Sequence, residues 1–307
     1  MTAFNRGLTY WRLRTRTLEL GRRTLLMGIV NITPDSFSDG GFFLDAEKAV
    51  RHGLSLLDEG TDILDLGAES TRPGSRAGGA AGSELAPAVS TEEEQARLLP
   101  VLNGILAARP EAIVSVDTYK AATARAALEA GAEIINDVSG FQWDPDIAVV
   151  CADARCGVVL MHTRGRPEEW RTLRHLASDE LLFKVRGGLA ASQTAAAQAG
   201  IAPESIVLDP GYGFGKRYDE NYALLARQAE LLSLGRPLLA GLSRKSFLGR
   251  ALAPLYGGGE APVEARETAS LAALVAAILH GASIVRVHAV RPAVEAALIA
   301  DAILPAG

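Results

Sequence analysis

Eight short apolar runs recur along the chain, and each ends at a polar residue suited to binding or catalysis. A stretch with the pattern of a helix usually follows before the next run begins. This alternation is typical of an α/β fold, and eight repeats predict a closed (β/α)8 TIM barrel. Because the carboxyl ends of the strands share one rim of such a barrel, polar residues distant in sequence would meet at one mouth. A single run could be the ordinary start of a loop, but eight together favour one shared site.

The polar residues at the predicted strand ends are amides, carboxylates, hydroxyls and basic groups. In chain order they are Asn31, residues 69–72, Asp117, Asn136 with Asp137, His162, Asp209, residues 243–245, and Arg286 with His288. Helices are predicted over residues 44–59, 91–108, 119–130, 145–154, 178–199, 218–233, 265–280 and 291–303. We expect Asp45 to cap the first helix and Ser90, with Glu93, to cap the second.

The length of the chain suits one barrel. A TIM barrel needs about 250 residues. The 307 residues therefore leave room for insertions, and we expect a single domain over residues 1–307. The alternating pattern near the N-terminus predicts that residues 1–24 form a β-hairpin arm capping the bottom of the barrel. Two stretches rich in small residues, 76–89 and 253–262, are predicted to be mobile loop insertions.

Composition excludes several kinds of partner. A net charge of -5 and a pI near 5.6 give no basic surface for nucleic acid. The longest apolar segment, residues 269–279, is far shorter than the roughly 20 residues of a membrane span. The two cysteines, Cys151 and Cys156, have no second pair to complete a zinc site. We therefore expect a cytoplasmic chain with no nucleic-acid or membrane partner.

The strongest local signal follows the first barrel strand. Residues 31–41 carry an amide, two acids, hydroxyls and an aromatic ring, and two glycines that can act as hinges close the segment. Phe37 and Asp39 lie within it. A plain turn rich in Pro, Asp and Gly is the alternative, but such a turn rarely needs so many functional groups. We interpret this segment as an active-site lid.

A second loop follows the next strand. Thr71, Arg72 and Pro73 lie at its centre. Arg72 could form a surface salt bridge, but its place between a hydroxyl and a stiffening proline favours contact with a substrate.

Three polar residues are predicted to lie low in the mouth: Asp117, Asn136 and Asp209. Burial of carboxylates and amides is costly unless they meet hydrogen-bond partners. A ring with an amino group and ring N–H groups would supply those partners. Each residue could instead be an N-cap or make a structural hydrogen bond, and for Asp117 taken alone this alternative stays open.

The later strand ends add aromatic and basic groups. Residues 209–216 do not fit a phosphate P-loop, and they are interpreted as a glycine-rich loop that displays Phe214 and Lys216. Lys245 suits a point-charge contact to ring acceptors or an anion. Arg286 and His288 alternate along the last strand, share a face and favour anion binding, because TIM barrels commonly bind phosphate there.

These residues, in this order, resemble the dihydropteroate synthase family of folate synthesis. The resemblance extends from about residue 18 to residue 304. Its most specific blocks are residues 31–41, 69–74, 209–216, 243–246 and 286–288. It implies a transferase that condenses 6-hydroxymethyl-7,8-dihydropterin pyrophosphate with 4-aminobenzoate, with Mg²⁺ as cofactor. The products would be 7,8-dihydropteroate and pyrophosphate, and sulfonamides would target the enzyme.

The resemblance also implies a role for each site residue. The pterin would meet Asp117, Asn136, Asp209 and Lys245. The pyrophosphate would meet Asn31, Arg286 and His288, with Mg²⁺ bridging Asn31 and phosphate oxygens. The 4-aminobenzoate would meet Phe37, Thr71, Arg72, Pro73 and Phe214, with Asp39 beside them. The residues implied in catalysis are Asn31, Asp39, Lys245, Arg286 and His288.

Three departures from the family pattern bear on these roles. Ala289 stands where the family usually has an aspartate, which could change how His288 is held. Thr163 replaces a frequent methionine, and the insertion at 76–89 lengthens the second loop. A pterin-binding methyltransferase of the corrinoid type is the main alternative function, but it would not need the two loop motifs. A non-catalytic pterin-binding paralogue is a second alternative, which Ala289 favours.

The seventh predicted helix bears on assembly. Residues 268–279 are apolar on nearly every face, whereas a helix outside a monomeric barrel should keep a polar stripe. We expect a homodimer through this helix, as the resemblance also implies. The alternative is that the insertion at 253–262 covers the helix within one chain.

Overall fold

The structure, a computed structural model, describes residues 6–32, 41–69 and 89–304. The strands are β1 (Thr9–Arg12), β2 (Thr17–Leu20), β3 (Leu25–Asn31), β4 (Ile63–Gly67), β5 (Val114–Asp117), β6 (Ile134–Asp137), β7 (Gly157–Met161), β8 (Ile206–Asp209), β9 (Leu238–Ala240) and β10 (Ala282–Val287). The α-helices are α1 (Gly41–Asp58), α2 (Thr91–Ala108), α3 (Ala121–Glu129), α4 (Asp146–Ala154), α5 (Ser178–Gln198), α6 (Tyr218–Ala226), α7 (Ser246–Ala251), α8 (Glu267–Leu279) and α9 (Val290–Ile303). In these described stretches, no helix has both the length and the apolar character needed to cross a membrane.

Strands β3 to β10 form the predicted barrel. Each strand pairs in parallel with the next one along the chain, and β10 pairs with β3 to close the sheet. The TIM barrel prediction is therefore confirmed. All eight carboxyl ends point to one rim, as the strand and helix alternation requires.

Most helix predictions agree with the structure, with three differences. The predicted helix over 218–233 is split, because α6 ends at Ala226 and a 3-10 helix follows over Gln228–Leu234. Helix α7 was not predicted. Asp45 is not an N-cap: it lies inside α1, where the backbone is already helical, and a cap residue needs a non-helical backbone.

Ser90 caps α2 as predicted. Its hydroxyl oxygen accepts a hydrogen bond from the backbone N–H of Glu93 at 3.1 Å. The carboxylate of Glu93 pairs with Arg97 one turn further on. The first turn of α2 therefore has one of its free backbone N–H groups paired.

The N-terminal hairpin closes the bottom of the barrel, as predicted. Strands β1 and β2 pair antiparallel, with Thr9 opposite Leu20. Trp11 is fully buried, and its indole N–H donates to the carbonyl oxygen of Ser205 at 2.9 Å, just before β8. Leu13 meets Gly157 at the start of β7, where a β-carbon on the glycine would lie 2.6 Å from the leucine side chain. The hairpin therefore packs directly on the N-terminal ends of the strands.

The inward side chains of the barrel fall into two layers. The floor is the apolar layer at the N-terminal ends, where the hairpin residues Trp11, Leu13 and Leu20 pack with the strand residues Leu25, Met27, Ile63, Ile134, Val159, Val207, Leu239 and Ile284. The mouth layer lies towards the carboxyl ends and includes Asn31, Asp65, Ser115, Asp117, Asn136, Asp209 and Arg286. Because inward residues alternate with outward ones along every strand, both layers follow from the same period of two.

The insertion after α7 is partly ordered by hydrogen bonds. A 3-10 helix covers Ala253–Leu255 and a second one covers Val263–Arg266. The backbone N–H of Ala261 donates to the carbonyl oxygen of Gly249 at 3.0 Å, and Nε of Arg266 donates to Ala261 at 2.9 Å. The mobility expected for 253–262 stays a prediction. The other insertion, 76–89, lies outside the described residues except at Val89.

Candidate active site

Arg286 links two carboxylates across the mouth. Its Nε lies 2.6 Å from Oδ2 of Asp65, and its Nη2 lies 2.9 Å from Oδ2 of Asp117. We call Asp65, Asp117 and Arg286 the charged trio. The side chain of Asp65 is fully buried. Removal of such charges from water is costly, so their mutual pairing is what makes the arrangement tolerable.

Asp65 is the site residue that the sequence reasoning missed. It also accepts hydrogen bonds from Oγ of Ser115 at 2.6 Å and from Nδ2 of Asn136 at 3.1 Å. It lies inside β4, between two outward leucines, whereas the prediction considered the residues at strand ends. The available signal was an aspartate in an apolar run, on the face that strand alternation turns into the barrel.

Strands β5 and β6 bring together Asp117 and Asn136, two of the three residues predicted to lie low in the mouth, next to β4. Gly67 is in register with Asp117, and Asp117 is in register with Asn136. A β-carbon on Gly67 would lie 3.6 Å from Cβ of Asp117, so the glycine leaves the neighbouring inward position without a side chain. The result is a recess lined by hydrogen-bonding groups on one wall of the mouth.

Two groups in the mouth can change protonation near neutral pH. Burial raises the pKa of Asp117 to about 7, with the positive charge of Arg286 opposing this and the charge of Asp65 adding to it. Burial lowers the pKa of Lys245 to about 8, although the negative charge of Asp209 opposes the change. An acid with a raised pKa and a lysine with a lowered pKa in one cleft are typical of functional sites.

Asp209 and Lys245 form the opposite wall. Asp209 ends β8, is buried, and accepts a hydrogen bond from the backbone N–H of Gly211 at 2.7 Å. Burial also raises its pKa, against the nearby charge of Lys245. The ammonium of Lys245 donates to the carbonyl oxygen of Tyr212 and lies 4.6 Å from the centre of the Phe214 ring. Phe214 therefore adjoins the charged part of the mouth.

Lys216 is not displayed, so this prediction was wrong. It is 6% exposed, and its Nζ donates to the carbonyl oxygens of His162 at 3.1 Å, Gly211 at 2.7 Å and Phe214 at 3.2 Å. The loop can turn back on itself because residue 211 is a glycine. Its φ is 68°, which glycine adopts readily, and a β-carbon at this position would clash with the backbone carbonyl group of His162. Lys216 therefore holds the loop that presents Phe214.

His288 is held by a hydroxyl from the neighbouring strand loop. Its Nδ1 lies 3.0 Å from Oγ of Ser243, and its backbone N–H donates to the same oxygen at 3.3 Å. Ala289, which stands where the resemblance expects an aspartate, offers no such group. Ser243 thus orients the imidazole from the β9 side.

Asn31 ends β3, between the strands that carry Arg286 and Asp65. It is half-buried and in register with Gly67. It shares the alternation of Leu25 and Met27, so it lies on the inward face above the floor. The loop residues Phe37, Asp39, Thr71, Arg72 and Pro73 lie outside the described residues.

Aromatic rings line the rim between the two walls. Tyr119 packs against Trp143 with ring centres 5.1 Å apart, and Trp170 packs against Phe214 at 5.3 Å, both edge to face. Thr163 stands where the family often has a methionine. Its hydroxyl group donates to the carbonyl oxygen of Gly165 at 3.0 Å, so it has a hydrogen-bond partner within its own loop. The mouth therefore combines a polar recess with an apolar rim, as small-molecule sites usually do.

Comparison with known proteins agrees with this geometry. Residues 27–288 match the family described as pterin binding enzyme. The sequence is 43% identical over 288 residues to a dihydropteroate synthase of Mycobacterium leprae (strain TN), which covers 92% of this chain and 94% of the relative. A crystal structure of the Xanthomonas albilineans dihydropteroate synthase with 4-aminobenzoic acid has a TM-score of 0.82 and 40% identity, covering 97% of this chain and 98% of that one. The Yersinia pestis dihydropteroate synthase in a sulfonamide drug complex has a TM-score of 0.84 and 37% identity, covering 97% and 100% of the two chains.

Proposed function

We propose a role for each side chain of the mouth, on the premise that the chain belongs to the dihydropteroate synthase family. The chain is a transferase. It condenses 6-hydroxymethyl-7,8-dihydropterin pyrophosphate with 4-aminobenzoate, which gives 7,8-dihydropteroate and pyrophosphate. The observation that carries the assignment of roles is the meeting of Asp117, Asn136 and Asp209 with Arg286 and Lys245 in one mouth, where Asn136 and Asp209 are buried and the others are partly buried.

The pterin ring is matched by the hydrogen-bonding groups of the two walls. Asp209 and Asn136 would bind the amino-pyrimidine edge, and Asp117 would accept from another ring N–H. Lys245 would donate to the ring oxygen and nitrogen. Because these groups are buried, a ring that satisfies them is favoured over one that leaves any unpaired.

The pyrophosphate would bind beside the charged trio. A guanidinium has five N–H donors, and two of those on Arg286 pair with Asp65 and Asp117. We assign its other donors to phosphate oxygens, together with the imidazole of His288. The two carboxylates would then fix the plane of the guanidinium before the substrate arrives, which avoids reorganisation during the reaction.

The reaction would begin with departure of pyrophosphate. The bond between the pterin methylene carbon and the phosphate oxygen breaks, and both electrons leave with the oxygen. Cationic groups stabilise the leaving group, while nearby carboxylates favour the positive charge left on the pterin. The amino group of 4-aminobenzoate then attacks the methylene carbon, and the proton that it loses passes to solvent. No covalent link to the protein is needed.

Among the described residues, the end of β3 offers Mg²⁺ one oxygen ligand, the side chain of Asn31. The amide oxygen of Asn31 is a hard ligand of the kind this ion prefers, and Mg²⁺ often completes its coordination with substrate phosphates. We propose that Asn31 holds Mg²⁺ next to the pyrophosphate. When bound, the ion would neutralise charge on the leaving group. Pyrophosphate release should stop with EDTA and return with added Mg²⁺, and full activity without metal would overturn this role.

The second substrate would bind above the pterin. The contact of Phe214 with Lys245 supports this role, since its ring would then pack on the benzoate ring beside the pterin. From the sequence we assign Phe37, Asp39, Thr71, Arg72 and Pro73 to the same substrate. Because the Yersinia pestis relative is in complex with a sulfonamide drug, we propose that sulfonamides compete with 4-aminobenzoate here.

A pyrophosphate-release assay tests the proposed activity against its alternatives. The assay supplies the pterin pyrophosphate with and without 4-aminobenzoate. Release that requires 4-aminobenzoate supports the synthase. A methyltransferase of the corrinoid type or a non-catalytic paralogue would release no pyrophosphate in either condition.

We propose that two copies of the chain associate through α8 and α9. On α9 the apolar side chains of Leu298, Ile299 and Ile303 are 60%, 64% and 49% exposed, and α9 packs against α8. Apolar side chains exposed together on one helix favour burial against a partner. Light scattering should give a mass of roughly 65 kDa, as a twofold dimer requires. A monomer at micromolar concentration would contradict the proposal, and Ile299→Lys should weaken the dimer.

A cytoplasmic location fits the cysteines. Cys151 and Cys156 are both free and buried, as in a reducing compartment. Fractionation of cells that produce the chain should place it with cytoplasmic markers.

A further inference from the structure

The ammonium group of Lys245 is held by the backbone of the loop that follows β8. Its Nζ donates to the carbonyl oxygen of Tyr212. The rest of the side chain lies along the same loop, because a β-carbon on Gly213 would come within 3.3 Å of Cδ of Lys245. An ammonium has three N–H donors, so the place of this carbonyl oxygen helps to set the direction of the other two.

The same peptide group is fixed at its other end by Asn221 of α6. The N–H of Gly213 shares that peptide group with the carbonyl of Tyr212, and it donates to Oδ1 of Asn221 at 2.6 Å. Asn221 is buried, and its Nδ2 donates to the carbonyl oxygens of Lys216 at 3.3 Å and Arg217 at 2.6 Å. Because hydrogen bonds in a chain polarise one another, Asn221 makes the carbonyl oxygen a better acceptor for the ammonium.

The side chain of Tyr212 is a second anchor for this peptide group. It is fully buried, and its hydroxyl donates to Oε1 of Gln228 at 2.7 Å. Nε2 of Gln228 donates in turn to the carbonyl oxygens of Ala277 at 2.9 Å and His280 at 3.1 Å, at the end of α8 where helix carbonyls need outside partners. Burial raises the pKa of Tyr212 above its ordinary value, so the hydroxyl stays a donor. The tyrosine is thus tied to a helix outside its own loop.

The anchors matter because the backbone on either side of Tyr212 is glycine. Gly211 and Gly213 have φ angles of 68° and 82°. Glycine adopts many backbone conformations, so a peptide group between two glycines can rotate at low cost. The two anchors oppose that rotation, and side chains distant in sequence therefore decide where the carbonyl oxygen lies.

We infer that Asn221 and Tyr212 are positioning residues for Lys245. They hold the peptide group between residues 212 and 213 so that its carbonyl oxygen takes one N–H of the ammonium and leaves the other two for the pterin. This inference rests on the proposed contact between Lys245 and the pterin ring. Neither side chain is assigned a contact with a substrate.

The first test measures the protonation of Lys245 in the free protein. Its rate of reaction with acetic anhydride, followed by peptide mass spectrometry over a range of pH, reports the fraction of free amine. Loss of the carbonyl acceptor disfavours the ammonium, so the midpoint should fall from about 8 by about 0.5–1 pH unit in Asn221→Ala and Tyr212→Phe. Both substitutions leave in place the charged groups that also face the ammonium, which are Asp209, Arg286 and Asp117.

Tyr222→Phe is the matched control for this test. Tyr222 follows Asn221 on α6, and its hydroxyl also donates to a backbone carbonyl oxygen, that of Phe247, at 3.0 Å. The control should leave the midpoint of Lys245 unchanged. An unchanged or higher midpoint in Tyr212→Phe would overturn the inference, and this variant decides the question if Asn221→Ala does not fold. An equal fall in all three variants would also overturn it, because general loosening of α6 would then be the cause.

Calorimetric titration with a pterin analogue tests the link to the substrate. At pH 7 the affinity should fall by about three- to tenfold in Tyr212→Phe, the effect of one weakened hydrogen bond, and should hold in Tyr222→Phe. If the unmodified chain binds no pterin analogue, the proposed function fails, while a lower labelling midpoint would still support the positioning of Lys245. A lower midpoint with an unaltered affinity would overturn the link to the pterin.

Discussion

At the floor of the barrel the inward positions hold apolar side chains that pack on the indole of Trp11, whereas at the mouth they hold Asp65, Asp117 and Arg286. The floor and Asp65 are buried, Asp117 and Arg286 are mostly so, and both layers follow from the same strand alternation. Aliphatic burial stabilises a fold, but buried ions lose more hydration than their attraction returns unless their geometry is excellent. The difference shows which part of the interior maintains the fold and which part is retained for binding.

The floor should affect stability and leave the chemistry unchanged. Trp11→Ala removes a fully buried indole and its hydrogen bond, so the free energy of unfolding should fall by about 3–5 kcal/mol. Because the hairpin lies at the opposite end from the site, kcat/KM measured well below the unfolding temperature should hardly change. Denaturant unfolding and steady-state kinetics on the same sample check both statements. A large loss of kcat/KM in the folded variant would contradict the statement that the floor affects stability and leaves catalysis unchanged.

The mouth should show the reverse behaviour at Asp209. Asp209→Ala leaves pterin donors unpaired in a buried site, which should weaken binding by about 1–3 kcal/mol. The stability of the free protein should stay level or rise, because a buried carboxylate is removed. Calorimetric titration with a pterin analogue and urea unfolding measure the two effects. An unchanged affinity in a folded variant would show that Asp209 is not placed as proposed.

Pterin affinity and the stability of the fold should also depend on pH in different ways, although these changes should be smaller than those caused by the two substitutions. The pKa of Asp117 is about 7, and ring N–H donors favour its ionised form, so pterin affinity should increase as the pH rises through about 7. It should decrease above about 8, where Lys245 loses its proton. Over each unit of pH the affinity should change by at most about tenfold.

Stability should change in the opposite direction through the same window. The folded pKa of Asp117 lies above its ordinary value of 3.8, so its contribution to stability is full below that value and is lost as the pH rises through about 7. Calorimetry and urea unfolding over this range check both trends. In Asp117→Asn the trends near pH 7 should disappear, and their persistence would assign them to another group.

The sequence was sufficient for the barrel and for most strand ends because both depend on local patterns. Alternation of apolar runs with helical stretches places Asp117, Asn136 and Asp209 on one rim, whatever the details of packing. Asp65 was missed because its role depends on Arg286, which is 221 residues away, and on burial inside a strand.

Local sequence patterns could not predict two other features. These are the burial of the Lys216 side chain and the split of the predicted helix over 218–233. The direction of a lysine side chain in a glycine-rich loop depends on which carbonyl groups the folded loop presents. The helix ends early where Gln228 turns inward and donates to Ala277 of α8 at 2.9 Å. Such tertiary contacts override the helical pattern of the sequence.

The central claim is that the charged trio serves binding and does not stabilise the fold. The most direct test is the free energy of unfolding of a variant in which all three side chains of the trio are uncharged. Asp65→Asn, Asp117→Asn and Arg286→Met together remove the three charges and keep an acceptor for Ser115. The account predicts a free energy of unfolding within about 1 kcal/mol of the parent or higher, and no release of pyrophosphate. Arg286→Met alone is the control, because two unpaired carboxylates should cost about 3–5 kcal/mol. A triple variant as unstable as this control, or one that still releases pyrophosphate, would contradict the account.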